Sequence, residues 1–299
     1  MIKAEGINKT FANIKALDNA SITIKKGSVY GLIGPNGAGK TTLIKNLVGI
    51  YRPDSGTIEI NGKPVYENTD AKKEITYISD ELYFFSTYTI EDTAKFYAGI
   101  YKNWDWERFE KLKDIFKIDV SRKVSRLSKG MQKQVGLWIG LCTKTPVMIL
   151  DEADDGLDPI LRKKLWRIIM QDVIEEELTV LVTSHNLRAL EDICDHVGII
   201  HQGNVVMEKE LDDIKGNIHK LQLAFEKDFP EELRFKMDIL HIDSIGRVHM
   251  AIVRGDIEGI TNKIQQFSPI ICDVLPLSLE EVFVYELGGM GYEFENIII

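Results

Sequence analysis

The chain has 299 residues, 44% of them hydrophobic and 28% charged, with a formal charge of −9; it is long and apolar enough for one large core and one small one, and its acidity argues against a nucleic-acid partner. Its longest apolar runs, such as Leu178 to Val182 and Val197 to Ile200, fall far short of the ~20 residues a membrane span needs, and the N-terminus lacks the apolar core of a signal peptide. Three widely spaced cysteines, Cys142, Cys194 and Cys272, fit buried thiols in a reducing compartment rather than disulfides or a zinc site.

Ile2 to Ile7 and Ala20 to Ile24 read as strands of a small β layer, joined later by Gly56 to Ile60 before an Asn61-Gly62 turn. Val29 to Ile33 reads as a buried strand feeding Gly34-Pro-Asn-Gly-Ala-Gly-Lys-Thr41, and Thr41 to Val48 reads as the helix leaving that loop. Strand, loop and helix in this order predict a nucleotide-phosphate cradle. Gly34, Gly37 and Gly39, with Asn36 and Ala38 between them, let successive amides turn inward, and the helix start adds positive charge. Lys40 is expected to reach the β and γ phosphates, Thr41 to reach a magnesium ion, and Thr42 to complete the loop.

Ile75 to Asp80 reads as a strand ending in an acid. From Thr89 to about Leu141 the periodicity turns helical, opening on the capping pattern Thr89-Ile-Glu-Asp92. The aromatic segments Tyr83-Phe-Phe85 and Trp104-Asp-Trp106 either pack internally or form a groove for another protein. The basic cluster Arg122 to Arg126, with Lys129 and Lys133, reads as a solvated face. Val147 to Leu150 is an apolar run suited to a central parallel strand, ending in Asp151 and Glu152. Such acids can serve as a helix N-cap; beside a phosphate loop, Asp151 is placed to hold magnesium and Glu152 to polarise the attacking water.

Leu127-Ser-Lys-Gly-Met-Gln132, Asp155-Gly-Leu-Asp-Pro159 and Thr183-Ser-His185 complete a series that resembles the ATP-binding cassette (ABC) ATPases over residues 1 to about 215. The resemblance implies an α/β P-loop ATPase domain over 1–215 with a helical subdomain at about 86–145. It implies that Ser128 and Gly130 contact the γ-phosphate of ATP held by the opposite subunit, with Ser128 also an N-cap, and that His185 senses the γ-phosphate. Phe11 matches the residue that stacks on adenine, although core packing is as good a reading of the residue itself. ATP and Mg2+ are the implied cofactors. The implied partners are a second copy or a paralogous ATPase subunit, and an integral membrane permease that would hold the chain at the inner face of the cell membrane. An ATP-hydrolysing transport subunit of an exporter is the function the resemblance implies; a soluble or regulatory ATPase that gates a sensor without transport is the alternative.

The sequence departs from that family in places. Lys129 and Met131 replace a glycine and a glutamine of the signature, and Asp80 stands where relatives carry a glutamine that serves magnesium and water; it either serves the metal directly, which adds negative charge beside Asp151 and Glu152, or acts through water. Ala153 replaces a proline, and Asp154 and Asp155 add charge. Lys129 either adds positive charge near the opposite nucleotide or faces solvent. Residues 216–299 read as a separate α+β domain of strand, helix, strand, strand, helix, strand, a split βαβ or ferredoxin-like pattern, closed by a helix over Ser278 to Val284 of the form common in exporter ATPases.

Overall fold

Val29–Ile33 (β3) and Val147–Asp151 (β7) are buried along their whole length, as strands covered on both faces must be. The computed structural model describes residues 2–152, 156–184, 190–211, 213, 217–226, 229–278 and 281–282. The chain divides into two compact units, residues 1–185 with 193–208, and residues 186–192 with 209–299.

The first unit is built on a six-stranded sheet. Besides β3 and β7 it contains Ile75–Ile78 (β6), Thr179–Ser184 (β8), His196–His201 (β9) and Asn204–Glu210 (β10), in the order β10-β9-β3-β8-β7-β6. β9, β3, β8, β7 and β6 run parallel, each to its neighbour. That arrangement brings the C-terminal ends of β3 and β7 to one edge, where ligands bind in open α/β sheets. On β9, Gly198 faces the Tyr30 ring so closely that a Cβ there would lie 2.0 Å from the phenol oxygen.

An antiparallel layer of Ile2–Phe11 (β1), Ile14–Ile24 (β2), Ser55–Ile60 (β4) and Lys63–Pro64 (β5) has the order β2-β1-β4-β5. Both long strands extend beyond the reading 2–7 and 20–24. Register shifts interrupt the β1–β2 pairing at three places between Ala4 and Thr10, so the alternation that marks a strand slips there. The Asn61-Gly62 turn forms as expected, both residues at positive φ. Helix Lys40–Leu47 (α1) lies between layer and sheet, and Ile7, Ile22, Leu43, Leu47, Leu32 and Leu181 share one core.

The helical stretch breaks into Ile90–Ile100 (α3), Trp106–Phe116 (α4) and Lys129–Cys142 (α5); the short Thr69–Lys72 (α2) precedes it and Pro159–Glu176 (α6) follows. The capping box at Thr89 and Asp92 is present. The chain leaves α4 through Lys117 in the left-handed conformation and enters α5 through Ser128. Trp138 of α5 stacks on Phe109 at 4.7 Å and on Phe116 at 5.4 Å between ring centres, and Trp104 packs on Trp106 and Phe109. Trp104 therefore belongs to internal packing. Tyr83 is 87% exposed, and Phe85, also exposed, meets Tyr88 and Phe96. Cys142 and Cys194 are buried as expected, whereas Cys272, on a strand of the second unit, is partly exposed; burial pushes the Cys142 thiol up to about 12.

In the second unit Ile218–Ala224 (β11), Glu231–Lys236 (α7), Asp238–Ile245 (β12), Val248–Arg254 (β13), Ile257–Gln265 (α8) and Ile271–Leu275 (β14) follow in sequence. The sheet order is β12-β13-β11-β14, with its three neighbouring pairs all antiparallel, which is the split βαβ arrangement expected. Leu221, Leu223, Ala251 and Val253 pack with Leu233, Ile260 and Ile264 of the helices in its own core. Of the expected closing helix only Ser278, Glu281 and Val282 are described. There Ser278 Oγ accepts from the Glu281 amide while Glu281 accepts from the Ser278 amide, the reciprocal bonds of a capping box. Among the described residues no helix is long and apolar enough to cross a membrane.

Candidate nucleotide-binding and catalytic site

The loop 34–39 leaves β3 and turns into α1. Gly39 caps that helix at φ 110°, a left-handed conformation that favours glycine, and a Cβ at Gly34 would come 2.4 Å from the Ile200 carbonyl oxygen. Both positions therefore demand the missing side chain. The loop borders a cleft of about 460 Å³ lined by Asn36, Gly37, Gly39, Lys40, Thr41 and Thr42 from the loop side, and by Asp80, Asp151 and Glu152 from the strand ends. Ala38 is buried behind the loop.

Lys40 is almost fully buried, and its ammonium donates to the Gly34 carbonyl at 2.6 Å and the Pro35 carbonyl at 3.3 Å. Glu152 Oε1 lies 3.5 Å from the same nitrogen. The cation is thus held by the loop it serves.

Asp151 is buried at the end of β7 and accepts from the Thr183 hydroxyl at 2.8 Å. Burial holds its carboxyl above the usual range, hydrogen bonds from Thr183 and Thr41 oppose that rise, and the charge of Glu152 adds to it. The Tyr77 phenol on β6 is raised as well, first by burial and then by the charge of Asp151 beside it. Glu152 sits at φ 50°, a left-handed conformation uncommon for a residue with a side chain. Its amide donates to Thr183 Oγ1 at 3.0 Å. One hydroxyl therefore joins both acids, accepting from the Glu152 backbone and donating to the Asp151 carboxylate.

Asp80 reaches the cleft from the end of β6, and the Lys133 ammonium donates to its Oδ1 at 2.7 Å and to the Glu152 carbonyl at 3.2 Å. This corrects the reading of Lys133 as part of a solvated face: its side chain is 17% exposed and is turned into the site. Neither Lys133 nor Thr183 was a candidate site residue in the sequence. Lys133 stands 53 and 19 positions from Asp80 and Glu152, and Thr183 32 and 31 from Asp151 and Glu152, so no local pattern marks them; the parallel pairing of Asp151 with Thr183 is what creates the contacts of Thr183.

Ser128 caps α5, its hydroxyl accepting from the Met131 amide at 3.3 Å. Gly130 has open space where a Cβ would stand, and Lys129 is exposed. Neither Ser128 nor Gly130 lines the cleft. Phe11, at the end of β1, meets the Tyr51 ring at 5.1 Å and does not line the cleft, whereas Ile14, Lys15 and Ala16 do. Asp158 caps α6. His185 and the acids Asp154 and Asp155 lie outside the described residues.

The oxygen set fits a hard divalent cation: the Thr41 hydroxyl and the Asp151 carboxylate are adjacent on the cleft wall, with the amide cradle leaving room for phosphate oxygens. Nitrogen or sulfur ligands are absent from the described lining.

A family profile described as "ABC transporter" matches residues 17–155. The chain is 31% identical over 304 residues to the bacitracin transport ATP-binding protein BcrA of Bacillus licheniformis, spanning 97% of this chain and 98% of that one. It is 29% identical over 289 residues to the ABC transporter ATP-binding protein YtrB of Bacillus subtilis (strain 168), spanning 97% and 99%. Among solved structures, the ATP-binding subunit of an ABC transporter superposes with a TM-score of 0.67 at 26% identity, over 72% of this chain and 92% of that one. With the phosphate loop, the acids at the ends of β6 and β7 and the capped signature turn in one unit, the chain belongs to the ABC transporter family, as an ATP-binding subunit whose ATPase activity drives transport.

Proposed function

We propose that the chain is the motor of an exporter for peptide-like compounds and works as an ATP-bound pair, with a second copy or a paralogous subunit, beneath a separate membrane permease at the inner face of the membrane. The observation that carries the reading is the convergence of Lys40, Thr41, Asp151 and Glu152 on one cleft; bacitracin in the name of one relative points to the cargo class.

In this reading the loop amides from Gly34 to Thr42 and the Lys40 ammonium bind the β and γ phosphates and stabilise the charge of the transferring phosphoryl group. Thr41 and Asp151 would hold Mg2+, with Asp80 acting through water; the ion, when bound, neutralises phosphate charge. Glu152 orients the attacking water and takes its proton, and His185 completes the site. Phe11 supports the adenine. Ser128 and Gly130 reach the γ-phosphate bound by the opposite subunit, so each site is finished by its partner. Hydrolysis then exchanges an attractive bridge for separated charges and opens the pair. Phe85 and Phe96, exposed and in ring contact, with the exposed Tyr83 two residues from Phe85 in sequence, would receive the permease.

The test is Glu152→Gln. It should bind ATP, lose at least about 100-fold in turnover and collect as a closed dimer on size exclusion in ATP and Mg2+. A monomer with undiminished turnover would defeat both the role of Glu152 and the shared site.

A further inference from the structure

We infer that Lys133 is a positioning residue for hydrolysis: its ammonium clamps the Glu152 peptide and screens the carboxylate of Asp80. The inference rests on the proposed role of Glu152.

Two facts about Glu152 need a cause. Its backbone is left-handed at φ 50°, which a non-glycine residue keeps only when its surroundings hold it there. Its carboxylate nevertheless points to Lys40, where the terminal phosphate is expected. The peptide groups on either side of its Cα supply the cause. The amide is held by Thr183 Oγ1 at 3.0 Å and the carbonyl by Lys133 Nζ at 3.2 Å. With both peptides fixed, the direction of the Cα–Cβ bond is fixed too. Thr183 comes from the sheet and Lys133 from α5, the helix that Ser128 caps, so the two restraints reach Glu152 from different elements.

The same ammonium sits 2.7 Å from Asp80 Oδ1. Asp80, Asp151 and Glu152 face one cleft that must also receive a polyphosphate. A bare carboxylate at position 80 adds repulsion to that encounter; paired with Lys133, it adds much less. Asp80 is itself 55% exposed, so the screening should be felt most where no divalent cation shares it. Lysine suits both tasks, because one ammonium has three donors and can serve a carbonyl and a carboxylate together.

The experiment uses the full chain and three variants: Lys133→Met, Lys133→Arg and the double variant Lys133→Met with Asp80→Asn. Steady-state ATPase gives kcat and KM, and a fluorescent ATP analogue titrated in EDTA gives affinity without a divalent cation. Lys133→Met should lower kcat by roughly 10- to 100-fold, the loss that a small misplacement of a reacting group brings, while KM moves less than about threefold. It should also weaken analogue binding in EDTA. Lys133→Arg, which keeps the charge and the donors, should recover most of kcat. The double variant should restore affinity in EDTA but leave kcat low, because the carbonyl clamp is still missing.

A kcat for Lys133→Met within twofold of the parent overturns the inference, as does a double variant with full kcat or with affinity in EDTA no better than the single variant. If Glu152→Gln is inactive while Lys133→Met is unimpaired, only this inference fails; if Glu152→Gln turns over freely, the reading beneath it fails.

Discussion

Thr183 shows how a single hydroxyl can organise two acids, and why neither acid would be well placed without it. It was visible in the sequence as the start of Thr183-Ser-His185, yet its contacts with Asp151 and the Glu152 amide follow only from strand pairing. Asp151 carries a consequence for stability. Its folded carboxyl is raised above the ordinary value, chiefly by burial, so the fold favours the protonated form. The stability this form contributes is complete below the ordinary carboxylate range, about pH 4, and is lost as pH rises through the folded value. At neutral pH the buried charge is a net cost when no cation is bound. Asp151→Asn should therefore raise the thermal midpoint in EDTA at pH 7.5 by a few degrees, with the gain shrinking toward pH 4, while magnesium-dependent nucleotide binding is lost. A midpoint that falls at pH 7.5 would contradict this account. Stability surrendered for chemistry is the pattern expected at a functional position.

At the scale of elements, local chemistry predicted well where the determinants are local. The Asn61-Gly62 hairpin, the Thr89 capping box and the Ser128 cap each depend on residues within four positions of one another. β1 outruns its alternating pattern because bulges break the alternation, and the interruptions of the helical stretch at 101–105 and 117–128 carry no glycine or proline to mark them. What joins α4 to α6 was not legible at all. Arg108 grips Asp172 through both guanidinium ends at 2.8 and 2.5 Å, and Lys144 adds a third contact at 3.2 Å. The side chains of Arg108 and Asp172 are 14% and 11% exposed, so removing one partner strands a desolvated charge. Asp172→Ala should cost about 3–5 kcal/mol, whereas Arg108→Met combined with Asp172→Leu should lose much less. Urea unfolding of the two single variants and the double variant measures the coupling; equal and additive losses would show the pair to be energetically idle.

For the whole molecule, the nucleotide-binding half was legible because its motifs are short, ordered and chemically constrained, while the second unit showed only a pattern of strands and helices. That pattern was sufficient for its sheet, since alternation along β11 and β13 places Leu221, Leu223, Ala251 and Val253 on one face. It offered no chemistry, and the described residues of that unit contain no cluster of metal-ligating side chains. Two separate cores predict two calorimetric transitions. A ligand that binds only the folded ATPase unit stabilises it by RT ln(1 + [L]/Kd), about 2.7 kcal/mol at one hundred times Kd. ADP with magnesium should raise one transition by several degrees, and Leu221→Ala, which cuts the other core, should lower the other. A single transition shifted by both would show one cooperative body.

The phenol of Tyr30 occupies the volume that any side chain at position 198 would need. Neither site can therefore drift by itself: a larger residue at 198 becomes tolerable only after the ring at 30 has been trimmed, and trimming it first leaves a hollow in the sheet. Lineages that have escaped this pairing should show both changes together, which makes the two positions a tractable record of the order in which substitutions were fixed.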